Sequence, residues 1–85
     1  MKKYKCHCCG FYTFDKKPMG NYDICPVCFW EDDSFQSQNP DEEAGANHVS
    51  LNQARENYKK FGACEQDMIK HVRPPKKDEL VGLDN

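Results

Sequence analysis

The chain has 85 residues, with 12 Lys or Arg against 14 Asp or Glu, for a formal net charge of −2. This length allows only one domain, and an apolar fraction of 38 % builds a small core that needs a staple such as disulfides or a metal ion. The charge balance is a poor match for a phosphate backbone, and no apolar stretch is long enough for a membrane helix.

Cysteine usage indicates which staple to expect. The sequence contains 6 cysteines, and its start, MKKYKCHCC, has no apolar segment typical of a secretory signal. We therefore expect a cytoplasmic protein, in which thiols stay reduced and clustered cysteines favour a metal over disulfides.

The first part of the chain is predicted to be a zinc-ribbon-like β unit over residues 4–33. Short strands are expected at 4–6, 11–14 and 22–25, with the turn DKKPMGN between the last two. Two Cys-x2-Cys pairs flank this turn, and each pair is predicted to form a knuckle, a tight turn that points two thiolates at one ion.

The spacing C-x2-C-x15-C-x2-C is typical of a zinc site. It predicts one Zn²⁺ per chain in a closed tetrahedral structural site, with Fe as the less favoured metal. The predicted ligands are Cys6, Cys9, Cys25 and Cys28.

Three neighbouring residues are predicted to support the ligands from outside the coordination sphere. Gly10 follows the first pair and permits the positive φ that closes such a turn, and Pro26 is the turn residue of the second pair. Cys8 is too close to Cys6 to share the knuckle with it; its thiol is expected either to tune a ligand sulfur or simply to pack.

A loop is predicted over residues 34–49, and helices over 50–72. Ser50 is the expected N-cap, with Gln53 completing a capping box, and Gly62 ends the first helix. A second, shorter helix is expected from about Cys64 to His71. The domain is thus predicted to span residues 1–72, as a small, metal-stabilised α+β fold, followed by a tail at 73–85 that is either mobile or draped over the surface.

No enzyme is predicted. Four cysteines leave the metal no open position, and no pattern places a base beside a nucleophile. The predicted function is a structural-zinc binding module that acts through an unidentified protein partner. We expect one outward aromatic side chain rimmed by acids to make the contact, within the strip Phe29, Trp30, Glu31, Asp32 and Asp33. The alternative is that both aromatic residues lie in the core and the acids are merely solvated.

Five stretches resemble the bacterial cysteine-rich CPCC family: YKCHCCGFYTF, GNYDICPVCFWEDD, NPDEEAGANHVSL, ARENYKKFGA and VRPPKKDE. They run from Tyr4 to Glu79. His7 stands where the family's name motif has proline, but all three cysteines of that motif are kept. The resemblance implies a small bacterial zinc-binding domain and supplies no activity.

Two alternative functions follow from weaker signals. The start MKKYKCHCCGFY is similar to that of rubredoxins, which hold iron for electron transfer, but Phe29 stands where their second pair is followed by glycine. A nucleic-acid-binding zinc ribbon is the other alternative, and the acidic N-terminal half and the lack of a basic stripe argue against it.

Overall fold

Two short strands and four short helices make up the protein in a computed structural model that describes residues 3–81. The elements are β1 (Tyr4–Lys5), β2 (Tyr12–Phe14), α1 (Ser34–Gln38), α2 (Leu51–Phe61), a 3-10 helix (Gln66–His71) and α3 (Lys77–Val81). The predicted small α+β class is confirmed.

The β unit consists of two hairpins, one for each cysteine pair. β1 and β2 pair antiparallel, with Tyr4 opposite Phe14 and an irregularity in the register at the next residue. The strand predicted at 22–25 is reduced to a single bridge between Ile24 and Glu31. Backbone hydrogen bonds extend this second hairpin, including one of 3.0 Å from the Tyr22 amide to the Asp32 carbonyl.

Helix α2 begins and ends where its local signals predict. The Ser50 hydroxyl accepts a hydrogen bond from the Gln53 amide at 3.1 Å, and Gly62 closes the helix at φ +82°. The reciprocal half of the predicted capping box does not form, because the Gln53 side chain donates to Asn57 instead. Leu51 is buried on the face of α2 that packs against the cysteines.

The predicted loop at 34–49 contains helix α1, which the sequence analysis did not anticipate. Asp33 caps this helix by accepting a hydrogen bond from the Gln36 amide at 3.1 Å. The same carboxylate accepts a second hydrogen bond, from the Ala46 amide at 2.8 Å. An acid that was expected to face a partner therefore holds both ends of its own loop.

The Gln36 side chain is completely buried and organises the loop that follows α1. Its Nε2 lies 3.1 Å from the Val49 carbonyl oxygen and 3.3–3.5 Å from three others in residues 42–47. Its Oε1 accepts hydrogen bonds from the backbone and side-chain amides of Asn47, both at 3.0 Å. Gly45 passes so close that a Cβ there would lie 2.7 Å from Gln36 side-chain carbons. The side-chain amide of Gln36 thus holds residues 42–49, which have no regular secondary structure, in a defined conformation.

Of the predicted tail at 73–85, residues 73–81 lie folded over the domain, and residues 82–85 lie outside the described part of the chain. The Arg73 guanidinium donates to both Glu79 carboxylate oxygens, at 2.8 and 2.9 Å. Glu79 is buried and also accepts from the Lys76 amide at 2.7 Å. The hydrogen bonds from Arg73 lower the pKa of Glu79 most. Burial opposes this shift, and the bond from the Lys76 amide adds to it. The Arg73–Glu79 pair anchors α3, which packs against β2.

The core is small, and cysteines make up half of its buried residues. Its buried members outside the cysteines are two aromatic residues, Phe14 and Trp30, and three aliphatic ones, Val27, Leu51 and Ala54. Five cysteines complete the cluster: Cys6, Cys8, Cys25, Cys28 and Cys64. Such a core has little apolar area to stabilise 85 residues.

We predict that Gln36→Glu destabilises the protein by about 2 kcal/mol or more, because an oxygen would then face the ring of carbonyl oxygens around Nε2. Gln38→Glu, at an exposed position on the same helix, is the matched control and should change stability by no more than about 0.5 kcal/mol. Chemical denaturation of the metal-loaded protein measures both. Equal stability of the two variants would contradict the role given to Gln36.

We predict that Glu79→Gln releases α3, with a loss of about 1 kcal/mol for a charged pair that is partly open to solvent on the Arg73 side. Amide protons of residues 77–81 should then exchange faster with water. Asp78→Asn, at the exposed neighbouring position, should leave their exchange unchanged. If Glu79→Gln leaves these amides as protected as before, the anchor lies elsewhere.

Candidate metal centre

The structure brings the four predicted ligand cysteines together. The Sγ atoms of Cys6, Cys9, Cys25 and Cys28 all lie within 4.8 Å of one another. The Cys6–Cys28 and Cys9–Cys25 sulfurs are 3.6 and 3.7 Å apart. Sulfurs placed tetrahedrally at about 2.3 Å from a zinc ion would be about 3.8 Å apart. All six cysteines are free thiols, and the donor set and its dimensions fit a single metal ion.

The two knuckles have the same backbone conformation. In the first, the Gly10 amide donates to the Cys6 carbonyl at 3.0 Å, and in the second the Phe29 amide donates to the Cys25 carbonyl at 2.8 Å. Gly10 has φ +80° and Phe29 has φ +72°. The positive φ predicted for Gly10 is confirmed. The absence of glycine after the second pair does not prevent the turn, although a non-glycine residue in this region costs of order 1 kcal/mol.

Three donors inside the protein point at ligand sulfurs. The Cys8 amide lies 3.4 Å from Cys6 Sγ, and the Val27 amide lies 3.4 Å from Cys25 Sγ. The buried Thr13 hydroxyl lies 3.1 Å from Cys25 Sγ. Each would lower the negative charge that a metal-bound thiolate presents to the core. Thr13 was not among the predicted site residues. Its contact with Cys25 depends on the packing of β2 beside the second knuckle, which no local sequence pattern indicates.

The four thiols cannot all ionise at neutral pH without a cation among them. Hydrogen bonds from Cys28, then Cys6 and Cys9, lower the pKa of Cys25. The pKa values of the other three thiols are raised, in each case chiefly because the thiol is hydrogen-bonded to Cys25. One thiolate therefore suppresses the ionisation of its three neighbours. A bound divalent ion reverses this, since four thiolates around it leave a net charge of about −2.

The two remaining cysteines lie outside the four-sulfur cluster. Cys8 is buried; its backbone amide contacts the Cys6 sulfur, and its side chain interacts with Cys28, whose pKa it helps to raise after the larger effects of Cys25 and Cys6. Cys64 is also buried, and burial, followed by the nearby Cys8, raises the pKa of its thiol to about 12. A thiol that stays protonated at neutral pH is a poor nucleophile and packs as a small apolar group.

Segments distant in sequence hold the second knuckle in place. The Cys64 amide donates to the Cys28 carbonyl at 2.8 Å, and the Arg73 amide donates to the Pro26 carbonyl at 3.3 Å. Pro26 thus has a second role beside its place in the turn. Both 3-10 helix flanks are therefore tied to the cysteine cluster.

The strip predicted to contact a partner, residues 29–33, is mostly inside the protein, and that part of the prediction is wrong. Trp30 is 0 % exposed and Asp32 is 1 % exposed. The Asp32 carboxylate accepts hydrogen bonds from the Gly20 and Asn21 amides, at 2.9 and 2.8 Å, so it braces the turn before the second hairpin.

Trp30 is buried because its indole has a large apolar area. Asp32 and Asp33 are buried because their carboxylates accept hydrogen bonds from backbone amides. Asp33 caps α1, as described above. Phe29 is half-buried and stacks on His71, with ring centroids 5.2 Å apart. Glu31 alone among the three acids is not buried. The alternative is therefore correct in placing Trp30 in the core, but wrong in expecting solvated acids, since Asp32 and Asp33 are buried.

The fold and the cluster define a small cysteine-rich α+β domain with a site compatible with metal binding. Residues 4–79 match the cysteine-rich CPCC family, and the chain belongs to that family. No curated protein is similar in sequence to the chain. Between residues 3 and 81, no helix has the length and apolar character to cross a membrane.

We predict that replacing Cys6, Cys9, Cys25 or Cys28 by Ser abolishes metal binding and cooperative unfolding together, because the site is also the centre of the core. Cys8→Ser, at the adjacent buried position, should retain both. Metal content by mass spectrometry under native conditions and thermal unfolding measure the two effects. A Cys8→Ser protein without metal would contradict the ligand assignment.

We predict that Thr13→Val retains the metal but weakens its binding by about tenfold or more, because the Cys25 thiolate loses a hydroxyl donor. Thr13→Ser keeps the hydroxyl and serves as the control. Competition with a chelator of known affinity measures the difference. Equal affinities for the Val and Ser variants would show that the hydroxyl does not support the site.

Proposed function

We propose that the protein binds one structural Zn²⁺ through Cys6, Cys9, Cys25 and Cys28. The observation that carries this proposal is the burial of three of these thiols, with the fourth half-buried, in a cluster whose dimensions suit a tetrahedral ion. Zinc prefers such all-sulfur sites, and a closed set of four ligands is the arrangement of structural sites. When bound, the ion would hold the two hairpins together.

We further propose that the domain is a binding module and not an enzyme. A metal with four protein ligands has no position for water or substrate. Two side chains close to the cluster are unsuited to act as a base, because Thr13 is engaged with Cys25 and Cys64 carries a proton at neutral pH. A cytoplasmic module of this kind would act through a protein partner, and its net charge of −2 does not suit nucleic acid.

A second candidate, electron transfer through iron, is supported by the second knuckle. Phe29 takes the positive φ that glycine would provide, and both knuckles direct an amide at a ligand sulfur. Hydrogen bonds to sulfur are one of the means by which proteins set the potential of an iron site. Cys9, the half-buried ligand, would be the route for electrons to the surface.

The metal in protein purified from its native host decides between the two candidates. Zinc protein should be colourless, with one ion per chain by elemental analysis, and should show no reversible reduction. A red protein with sulfur-to-iron charge-transfer absorption that bleaches on reduction would establish the electron-transfer candidate. Protein that folds without any metal would contradict both.

A further inference from the structure

A groove beside the second knuckle suggests how a protein partner is recognised. It lies between the second hairpin and the 3-10 helix, and its apolar wall is formed by Ile24, Phe29, Val49 and Met68. Glu31 and Glu65 also line it. We name it the Met68 groove, and we propose that it binds a segment of a partner protein that carries a large apolar side chain next to Lys or Arg. The proposal deepens the binding-module function proposed above and rests on it.

The size of the Met68 groove suits one side chain. Its volume is about 220 Å³. Sites for small molecules are usually larger, at about 300–1,000 Å³, and enclose most of the ligand. Ile24 is 45 % exposed at the mouth of the groove, whereas Cys64 is 4 % exposed beneath it. The groove is therefore open at the surface and apolar below, as expected for a pocket that accepts an anchor residue from a larger partner.

The charge around the groove is negative and largely uncompensated. No Lys or Arg occurs between residues 18 and 54, and none lines the groove, where the only basic side chain is that of His48. Glu31 takes part in no ion pair among the described residues. Glu65 pairs only with His48, at 3.1 Å, and the His48 side chain is 76 % exposed. Lys70, on the same 3-10 helix, lines a different depression.

This arrangement determines what the occupant must supply. A partner Lys or Arg placed over Glu31 and Glu65 would provide the missing countercharge, and complementary charge raises both the association rate and the specificity. An acidic segment or a phosphate backbone would be repelled by the same two carboxylates. The matching occupant is therefore a basic and apolar peptide segment.

The recognition must use side chains, because the neighbouring backbone edge is already closed. The Asn47 side chain accepts from the Glu31 amide at 2.9 Å and donates to the Glu31 carbonyl at 2.8 Å. It thereby makes the two hydrogen bonds that an added β-strand would make at this residue. Asn47 is in turn fixed by Gln36. Strand addition, a common mode of peptide binding, is blocked at Glu31, and insertion of an anchor residue remains.

Selection from a library of short random peptides on the metal-loaded, folded protein tests the proposal. Enriched peptides should carry Lys or Arg adjacent to Leu, Ile, Met or Phe. On binding, the amide signals of Phe29, Glu31 and Met68 should shift, and replacing the peptide's basic residue with Glu should abolish binding.

Matched variants separate the groove from the rest of the surface. Met68→Ala and Glu31→Lys should each weaken binding of a selected peptide by about tenfold or more. Ile69→Ala, at the exposed apolar neighbour, and Glu43→Lys, at an exposed acid outside the groove, should leave it within about twofold.

Three outcomes would overturn the proposal: no enrichment, peptides without a basic residue, or binding that Met68→Ala and Glu31→Lys do not change. Because the selection uses protein whose metal content and folding are verified first, such a failure leaves the metal assignment standing. A chain that binds no metal would fail at that earlier step.

Discussion

The mutual repulsion of four clustered thiolates is the constraint on which the rest of the structure depends. Their sulfurs lie too close for more than one to ionise without a cation, and they form the middle of a core with few other apolar side chains. The proposed metal ion would neutralise this repulsion and would join the four sulfurs by metal–ligand bonds. The two knuckles, the hairpins that carry them and the burial of Trp30 all follow from where that ion would sit.

The remaining elements stabilise the cluster by polar contacts more than by apolar burial. The Thr13 hydroxyl is hydrogen-bonded to the Cys25 sulfur. The backbone amides of Phe29, Cys64 and Arg73 donate to carbonyl oxygens of the second knuckle and hold it in place. Gln36 and Asp33 hold a long loop against the same hairpin. A domain of this size reaches a defined structure by satisfying its backbone groups individually, since its apolar area alone is insufficient.

Local signals were sufficient to predict the four-cysteine cluster and helix α2. The spacing of the cysteine pairs reports a geometry that each tight turn determines by itself, and Ser50 and Gly62 act within a few residues of their own positions. Family membership was also recognisable from sequence. The acids at 31–33 show the limit of such signals, because a run of carboxylates has the same appearance whether it is solvated or buried. Asp33 followed by Gln36 was a helix-start pattern that could have been noticed.

Other features depend on contacts between distant segments and leave no local signal. The Thr13 hydroxyl meets Cys25 because β2 packs beside the second knuckle, and residues 73–81 are held on the domain by the Arg73–Glu79 pair and by the bond from the Arg73 amide to Pro26. Phe29 is a different case. Its positive φ contradicts the preference of a bulky residue, and the stack on His71 and the turn around the cysteines compensate for the strain.

The central claim, that the metal is the core of this fold, is tested most directly by removing it. A chelator at neutral pH, with a reductant present to keep the thiols free, would be followed by the fluorescence of Trp30, the only tryptophan in the chain. We predict that Trp30 becomes exposed to water and that amide signals lose their dispersion when the ion leaves. One equivalent of Zn²⁺ should restore both the burial of Trp30 and the dispersion. A metal-free chain that keeps Trp30 buried and its amide spectrum unchanged would contradict it.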